Sequence, residues 1–152
     1  MILISHRGNI DQKIPALENT PEYIDKALSK GYDVEIDVWL KSGSWYLGHD
    51  DPVTKIDIDY LTNKNLWCHA KNIEALDAML SHGSIRCFWH QKDDVTLTSD
   101  NYIWTYPGKK LVKNSICVMP EWVGIVKGDN RLNQCSGICS DLIENFKITN
   151  NP

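Results

Sequence analysis

Along this chain the spacing of apolar positions changes period several times, and each change marks an element. Ile2, Leu3 and Ile4 form a short apolar run that stops at Ser5-His6-Arg7-Gly8, predicting a first strand over Ile2–Ser5. Asn19-Thr20-Pro21-Glu22 reads as a helix start, with a capping side chain, proline in the first turn and an acid beside it. Tyr23, Ile24, Ala27 and Leu28 follow at helical spacing, and Gly31 stops the helix. Over Asp33–Trp39 the period drops to two: Val34, Ile36 and Val38 alternate with Glu35 and Asp37, a half-polar strand. A turn at Lys41-Ser42-Gly43-Ser44 leads into Trp45–His49, and Asp50-Asp51-Pro52 is turn chemistry again.

Leu66–Lys71 predicts another strand, and Asn72 caps a second helix with Ile73, Leu76, Met79 and Leu80 on one face and Gly83 at its end. Beyond it Arg86–Trp89, Tyr102–Tyr106, Ser115–Met119 and Gly137–Ser140 are strand-like, joined by polar links too short or turn-rich for full helices. Early strand–helix alternation points to an α/β domain with parallel strands. About eight strands predict a closed barrel, with chemistry gathered where the strands end. Such barrels usually take about 200 residues or more, so this one would dispense with most of its outer helices. The Lys41–Ser44 turn leaves an alternative, in which Trp45–His49 folds back antiparallel and still returns His49 beside Asp37.

With 152 residues, 42% of them hydrophobic and 24% charged, the chain fits one globular domain over 1–152. A net charge of −4 with no Lys/Arg run longer than two argues against a nucleic-acid partner. No apolar stretch approaches the roughly 20 residues of a membrane span, so no stable membrane insertion is expected. Met1–Ile4 runs straight into polar His6-Arg7, without a signal-peptide hydrophobic region. Cys68, Cys87, Cys117, Cys135 and Cys139 are odd in number and lack a Cys-x-x-Cys pair, which fits reduced core thiols and a cytoplasmic location.

The polar residues at the predicted strand ends carry the candidate chemistry. Glu35 and Asp37, two apart on a strand, share one face about 7 Å apart along the chain. That face is either wet or holds a hard divalent cation. His6 and His49 flank the acids in sequence and can trade a proton. Arg7 offers a fork for phosphate oxygens. His69 and Lys71 share a face at the end of a run that should be buried, and a lysine there needs an anionic partner. Each residue has a bland reading as a surface loop, wet strand face or core histidine. Together they converge on metal-assisted cleavage of a phosphate ester.

The stretch ISHRGN…LENTPEYIDKALSKGYDVEIDVWLKSGSWYLGHDDP, residues 4–52, resembles the opening of the glycerophosphodiester phosphodiesterase family, within the phospholipase C-like phosphodiesterases. The shared features are His6-Arg7-Gly8, Glu18-Asn19-Thr20, Glu35-Ile36-Asp37-Val38 and His49-Asp50, in order and spacing. Farther on, Lys71 is similar to the family's fourth-strand lysine, and GICSDL (137–142) to its last strand, which ends in Asp. The resemblance implies a (β/α)8 TIM-type barrel, here compact and helix-depleted, acting on a small-molecule phosphodiester of lipid metabolism. It implies His6 and His49 as acid–base pair, Arg7 and Lys71 on the phosphate, and a divalent metal (Mg, Ca or Mn, with Zn less suited) on Glu35 and Asp37. His69 stands where the family usually has an acidic third ligand, and is expected to complete the metal site. The chain also lacks the insertion that shapes a glycerol pocket in many members.

Two rival readings come from the same residues. One is a zinc hydrolase barrel using His6, His49, His69 and His90. The other is a non-catalytic barrel that binds phosphate. Trp39, Trp89, Trp104 and Trp122 lie near predicted strand ends, where they line either a sugar- or lipid-facing pocket or the core.

Overall fold

β-branched, aromatic and cysteine residues concentrate in ten short strands of one mixed sheet, seen in a computed structural model that describes residues 1–147. In chain order the strands are β1 (Ile2–His6), β2 (Asp33–Lys41), β3 (Ser44–Leu47), β4 (Thr54–Ile56) and β5 (Leu66–Ala70), then β6 (Cys87–Phe88), β7 (Val95–Leu97), β8 (Ile103–Thr105), β9 (Ser115–Val118) and β10 (Gly137–Ser140). The α-helices among the described residues are α1 (Pro21–Ser29), α2 (Ile58–Leu61) and α3 (Ile73–His82). Every strand read from the pattern is present, and β4 and β7 are additional.

The expected (β/α)8 TIM-type barrel is not what forms. Parallel pairing runs β6-β5-β2-β1-β10-β9-β8, with β3 and β4 as an antiparallel arm on β2, and β7 antiparallel on β8. β3 thus took the hairpin alternative, and it leaves one parallel strand too few for an eightfold closure. No ladder joins β6 to β8 among the described residues. The free edge of β6 is instead met by Ser99, whose N–H donates to Cys87 O at 2.9 Å while its Oγ accepts from Cys87 N at 3.0 Å. With those backbone groups satisfied, nothing drives a further strand to pair there. After α3 the described links hold only 3₁₀ turns, because stretches such as residues 106–114 are shorter than a helical crossover of about 10–12 residues.

The sheet nevertheless curls on itself. Trp104 of β8 meets Phe88 of β6 at 4.5 Å and Trp67 of β5 at 6.1 Å between ring centroids, joining the two ends of the strand order. These rings, with Ile4, Ile116 and Cys139, fill the concave side. The convex side buries Val34, Ile36 and Val38 against α1 and α3, through Ile24, Ala27, Ala75 and Met79. Glu35 and Asp37, 2% and 0% exposed, therefore do not lie on the solvent face of an amphipathic strand. Cys68, Cys87, Cys117 and Cys139 are buried free thiols, and Cys135 is a partly buried one. No helix among the described residues is long and apolar enough to cross a membrane.

Two details of the helices differ from expectation. α3 buries Ala75 and Met79, while Ile73 and Leu80 are exposed. Neither helix start is capped by its own side chain. Asn72 instead extends the sheet: its Oδ1 accepts from Leu40 N at 3.1 Å and its Nδ2 donates to Leu40 O at 2.7 Å. Replacing Asn72 with alanine strands both backbone groups and is expected to cost about 1–3 kcal/mol. A urea-denaturation midpoint equal to that of the wild type would show that water replaces the amide without loss.

Candidate functional site

Strand alternation stacks the concave side in two layers. Ile4, Trp67, Phe88, Trp104, Ile116 and Cys139 form a plug. Two residues farther along their strands come His6, His69, His90, Tyr106, Val118 and Asp141, one layer higher. Most of that upper layer, with Glu35, Arg7, His49 and Lys71, lines a cleft of about 430 Å³. The sequence-predicted catalytic, phosphate-binding and metal-binding residues therefore lie together, on four strands and their following loops.

β2 carries the centre of the site because its edge changes partner there. β1 leaves after Arg7 N donates to Glu35 O at 2.9 Å, and β3 arrives where Gly48 N donates to Asp37 O at 3.2 Å. In the gap, Asn19 Oδ1 accepts from Asp37 N and Asn19 Nδ2 donates to Asp37 Oδ2, both at 2.9 Å. Asn19 therefore serves the site, not α1; Thr20 holds the helix N-cap position, and its hydroxyl donates to Leu17 O at 2.8 Å. Gly8 is required where the chain turns after β1: its φ is +96°, and a Cβ would lie 2.6 Å from Tyr23 Cδ1. At Gly48 a Cβ would come within 2.0 Å of Asp51 O, so only glycine allows the turn that delivers His49.

Asp37 is fully buried and is the hub. Arg7 Nε lies 2.8 Å from its Oδ2, with His49 Nδ1 at 3.3 Å; His69 Nδ1 and Lys71 Nζ lie 3.2 and 3.5 Å from its Oδ1. Burial opposes its charge, but the adjacent His49 and His69 rings and the Arg7 cation hold the carboxyl well below its usual range. Glu35, 2% exposed, places Oε1 3.6 Å from His69 Nδ1 and Oε2 3.7 Å from His6 Nε2. Arg7 also donates to Glu18 at 3.2 Å.

The ring states follow from partners that can only accept or only donate. His69 Nε2 lies 2.8 Å from the His90 carbonyl, so it carries the proton and turns Nδ1 toward Glu35 and Asp37. A bare lone pair facing two carboxylates is repelled, so Nδ1 needs either a second proton or a cation. Without a cation, burial lowers the imidazole's affinity for protons, but Asp37 and Glu35 outweigh burial and raise its pKa to about 9. His6 Nδ1 lies 2.7 Å from Asp141 Oδ1 and must donate to it, leaving Nε2 toward Glu35 and the cleft. Burial works against the Asp141 charge, but His6 and Asn9 hold its carboxyl below the usual range. His49 Nδ1 lies 2.6 Å from Arg7 Nη2 and accepts from it, since guanidinium has no lone pair to offer.

Glu35, Asp37 and His69 bring ligand atoms within 4.8 Å of one another and could hold a metal ion. Two observations fit that use: Glu35 Oε2 and Asp37 Oδ1 are buried without a hydrogen-bond partner. Glu18, Glu35, Asp37 and Asp141 outnumber the fixed cations Arg7, Lys71 and Lys13 by one charge, an excess that a bound cation would offset. The four histidines do not form a metal-ligating group among the described residues; the group whose ligand atoms come together is Glu35, Asp37 and His69.

Sequence reasoning did not place Glu18, Asn9, Asn19 or Asp141 among the site residues. Asn9 Nδ2 donates to both Glu18 and Asp141 at 2.8 Å, tying the Arg7 and His6 supports together. The Glu18-Asn19-Thr20 triplet was the available signal, but Asn before Thr-Pro also reads as a helix cap. Among the four tryptophans, Trp104 and Trp122 line the cleft. Trp39 donates to Gly48 O at 2.7 Å, and Trp89 packs on the convex core. No family model, curated protein or solved structure matches this chain.

Proposed function

We propose that this protein is a metal-dependent phosphodiesterase of the glycerophosphodiester type. The observation that carries the reading is the buried Glu35–Asp37–His69 group, with two unpartnered carboxylate oxygens, set beside a His6–Asp141 pair on one cleft. The glycerophosphodiester class rests on the resemblance of residues 4–52. A bound divalent ion would neutralise charge on the non-bridging phosphate oxygens. Arg7 and Lys71 reach the same cleft and take the remaining phosphate charge.

His6 is the base. Asp141 fixes its tautomer, so Nε2 takes the proton of the attacking hydroxyl, from water or a neighbouring alcohol, as that oxygen bonds to phosphorus. The bond from phosphorus to the leaving oxygen breaks, and His49, which takes up a proton once Arg7 Nη2 has turned to the phosphate, gives that oxygen its proton. His49 is half-exposed and held by Arg7 Nη2. A phosphate drawing the guanidinium onto its own oxygens frees the imidazole to turn to the leaving group.

The test is turnover of bis(p-nitrophenyl) phosphate with Mg²⁺, Ca²⁺, Mn²⁺ or Co²⁺, with chelator as control. Turnover should need metal, and the nitrogen ligand His69 should favour Mn²⁺ or Co²⁺ over Mg²⁺ and Ca²⁺. No release of p-nitrophenolate with any of these ions would leave a phosphate-binding protein without catalysis.

A further inference from the structure

The cleft is chemically divided along the chain. Every charged or imidazole group lining it lies at or before residue 90, whereas the wall from residue 104 onward is Trp104, Tyr106, Pro107, Val118, Met119 and Trp122. Strand alternation builds this wall. Trp104 and Tyr106 are two apart at the end of β8, and Val118 lies two beyond the plug residue Ile116 of β9. Met119 then turns the chain with φ 45°, held by its N–H on Cys139 O at 2.8 Å, and a 3₁₀ turn brings Trp122 to the mouth. The loops after β8 and β9 touch: a Cβ at Gly108 would lie 3.3 Å from Val123 Cγ1. At the mouth Tyr106 is 42% and Trp122 62% exposed, large rings left uncovered beside a buried polar centre.

We propose that this wall is the subsite for an apolar alcohol arm, which makes monoacyl phosphodiesters bearing a hydrocarbon chain, and not glycerol-only diesters, the preferred substrates. The proposal rests on the phosphodiesterase reading and is continuous with its site: an arm leaving a phosphate held by Arg7 and Lys71 has this wall across the same cleft. A bare glycerol arm brings hydroxyls that need partners, and the wall's side chains offer only the Tyr106 hydroxyl and two indole N–H groups. Acylation replaces one of the glycerol hydroxyls with an ester, and its hydrocarbon chain removes water from the Tyr106 and Trp122 rings.

The experiment compares hexanoyl lysophosphatidylcholine, dissolved as monomer, with glycerophosphocholine under the same metal. The two share phosphate and choline and differ in the chain. kcat/KM should favour the acyl substrate by about tenfold or more, the discrimination that a few methylene contacts in an apolar pocket provide. In the surface variants Trp122→Ala and Tyr106→Ala that ratio should fall to about threefold or less, and Trp122→Leu should restore part of it. Equal kcat/KM values for the two substrates in the wild type would overturn the subsite. So would a gain seen only when the lipid is presented in vesicles, which would make the wall a surface-docking patch. If bis(p-nitrophenyl) phosphate is not cleaved, the catalytic reading fails by itself. Calorimetric affinity for the two compounds then decides the subsite, and equal affinities overturn it.

Discussion

Replacing His6 with alanine is expected to slow metal-dependent turnover by roughly 10²–10⁴-fold, the contribution of a positioned general base. The effect should be large because no neighbour can substitute: His49 Nδ1 is occupied by Arg7, and His69 turns its Nδ1 to the carboxylates. Asp141→Asn should approach the same loss without removing the ring. An amide at 141 can donate to Nδ1, which lets His6 carry its proton on Nε2, the nitrogen that must accept. Wild-type turnover from a folded His6→Ala protein would remove the histidine from the mechanism. A large loss in His6→Ala with none in Asp141→Asn would leave the ring essential and its tautomer control unnecessary.

Asp37→Ala is expected to destabilise the metal-free protein by about 3–5 kcal/mol, as breaking a buried ion pair does. Without this carboxylate, Arg7 keeps Glu18 alone, and Lys71 loses its only ion-pair partner in the site. The Asp37 N–H keeps Asn19, but the amide nitrogen of Asn19 loses its acceptor. Urea denaturation in chelator measures that loss. Manganese supplies the second readout: at 100 times its Kd, an ion that binds only the native state adds about 2.7 kcal/mol. That increment should be present in the wild type and absent in Asp37→Ala. An unchanged increment would place the ion away from Asp37.

Local pattern made every parallel strand legible, because strand period and apolar runs are written in neighbouring residues. The Lys41–Ser44 turn also announced the hairpin as one of two outcomes. Closure was not legible, since it depends on whether Cys87 pairs with a strand or with Ser99, a contact that no periodicity encodes. β4 and β7 were missed for a related reason: both are three-residue, partly exposed segments at a sheet edge, without a buried face to impose alternation. The site was legible where strand ends carry charge in pairs, as at Glu35/Asp37 and His69/Lys71. Asn19 and Asp141 were not assigned because each acts on a residue far away in sequence. Asn19 also fits a commoner local role, as a helix cap, equally well.

If the protein is the proposed phosphodiesterase, the pairing of β1 with β10 sets when it becomes competent. His6 and Asp141 are 135 residues apart, so the ring's partner is synthesised long after the ring. During synthesis the Glu35–Asp37–His69 group, complete by residue 69, can gather while His6 still lacks its acceptor. Until β10 arrives, Ile2–Ser5 also presents one open, largely apolar strand edge, the kind of surface on which nascent chains pair wrongly. Closing that long loop is among the costliest steps in conformational entropy, and the same step orients the His6 ring. On the phosphodiesterase reading, hydrolytic capacity would thereby be tied to this late step of folding, and a half-made chain could hold the ion without the means to use it.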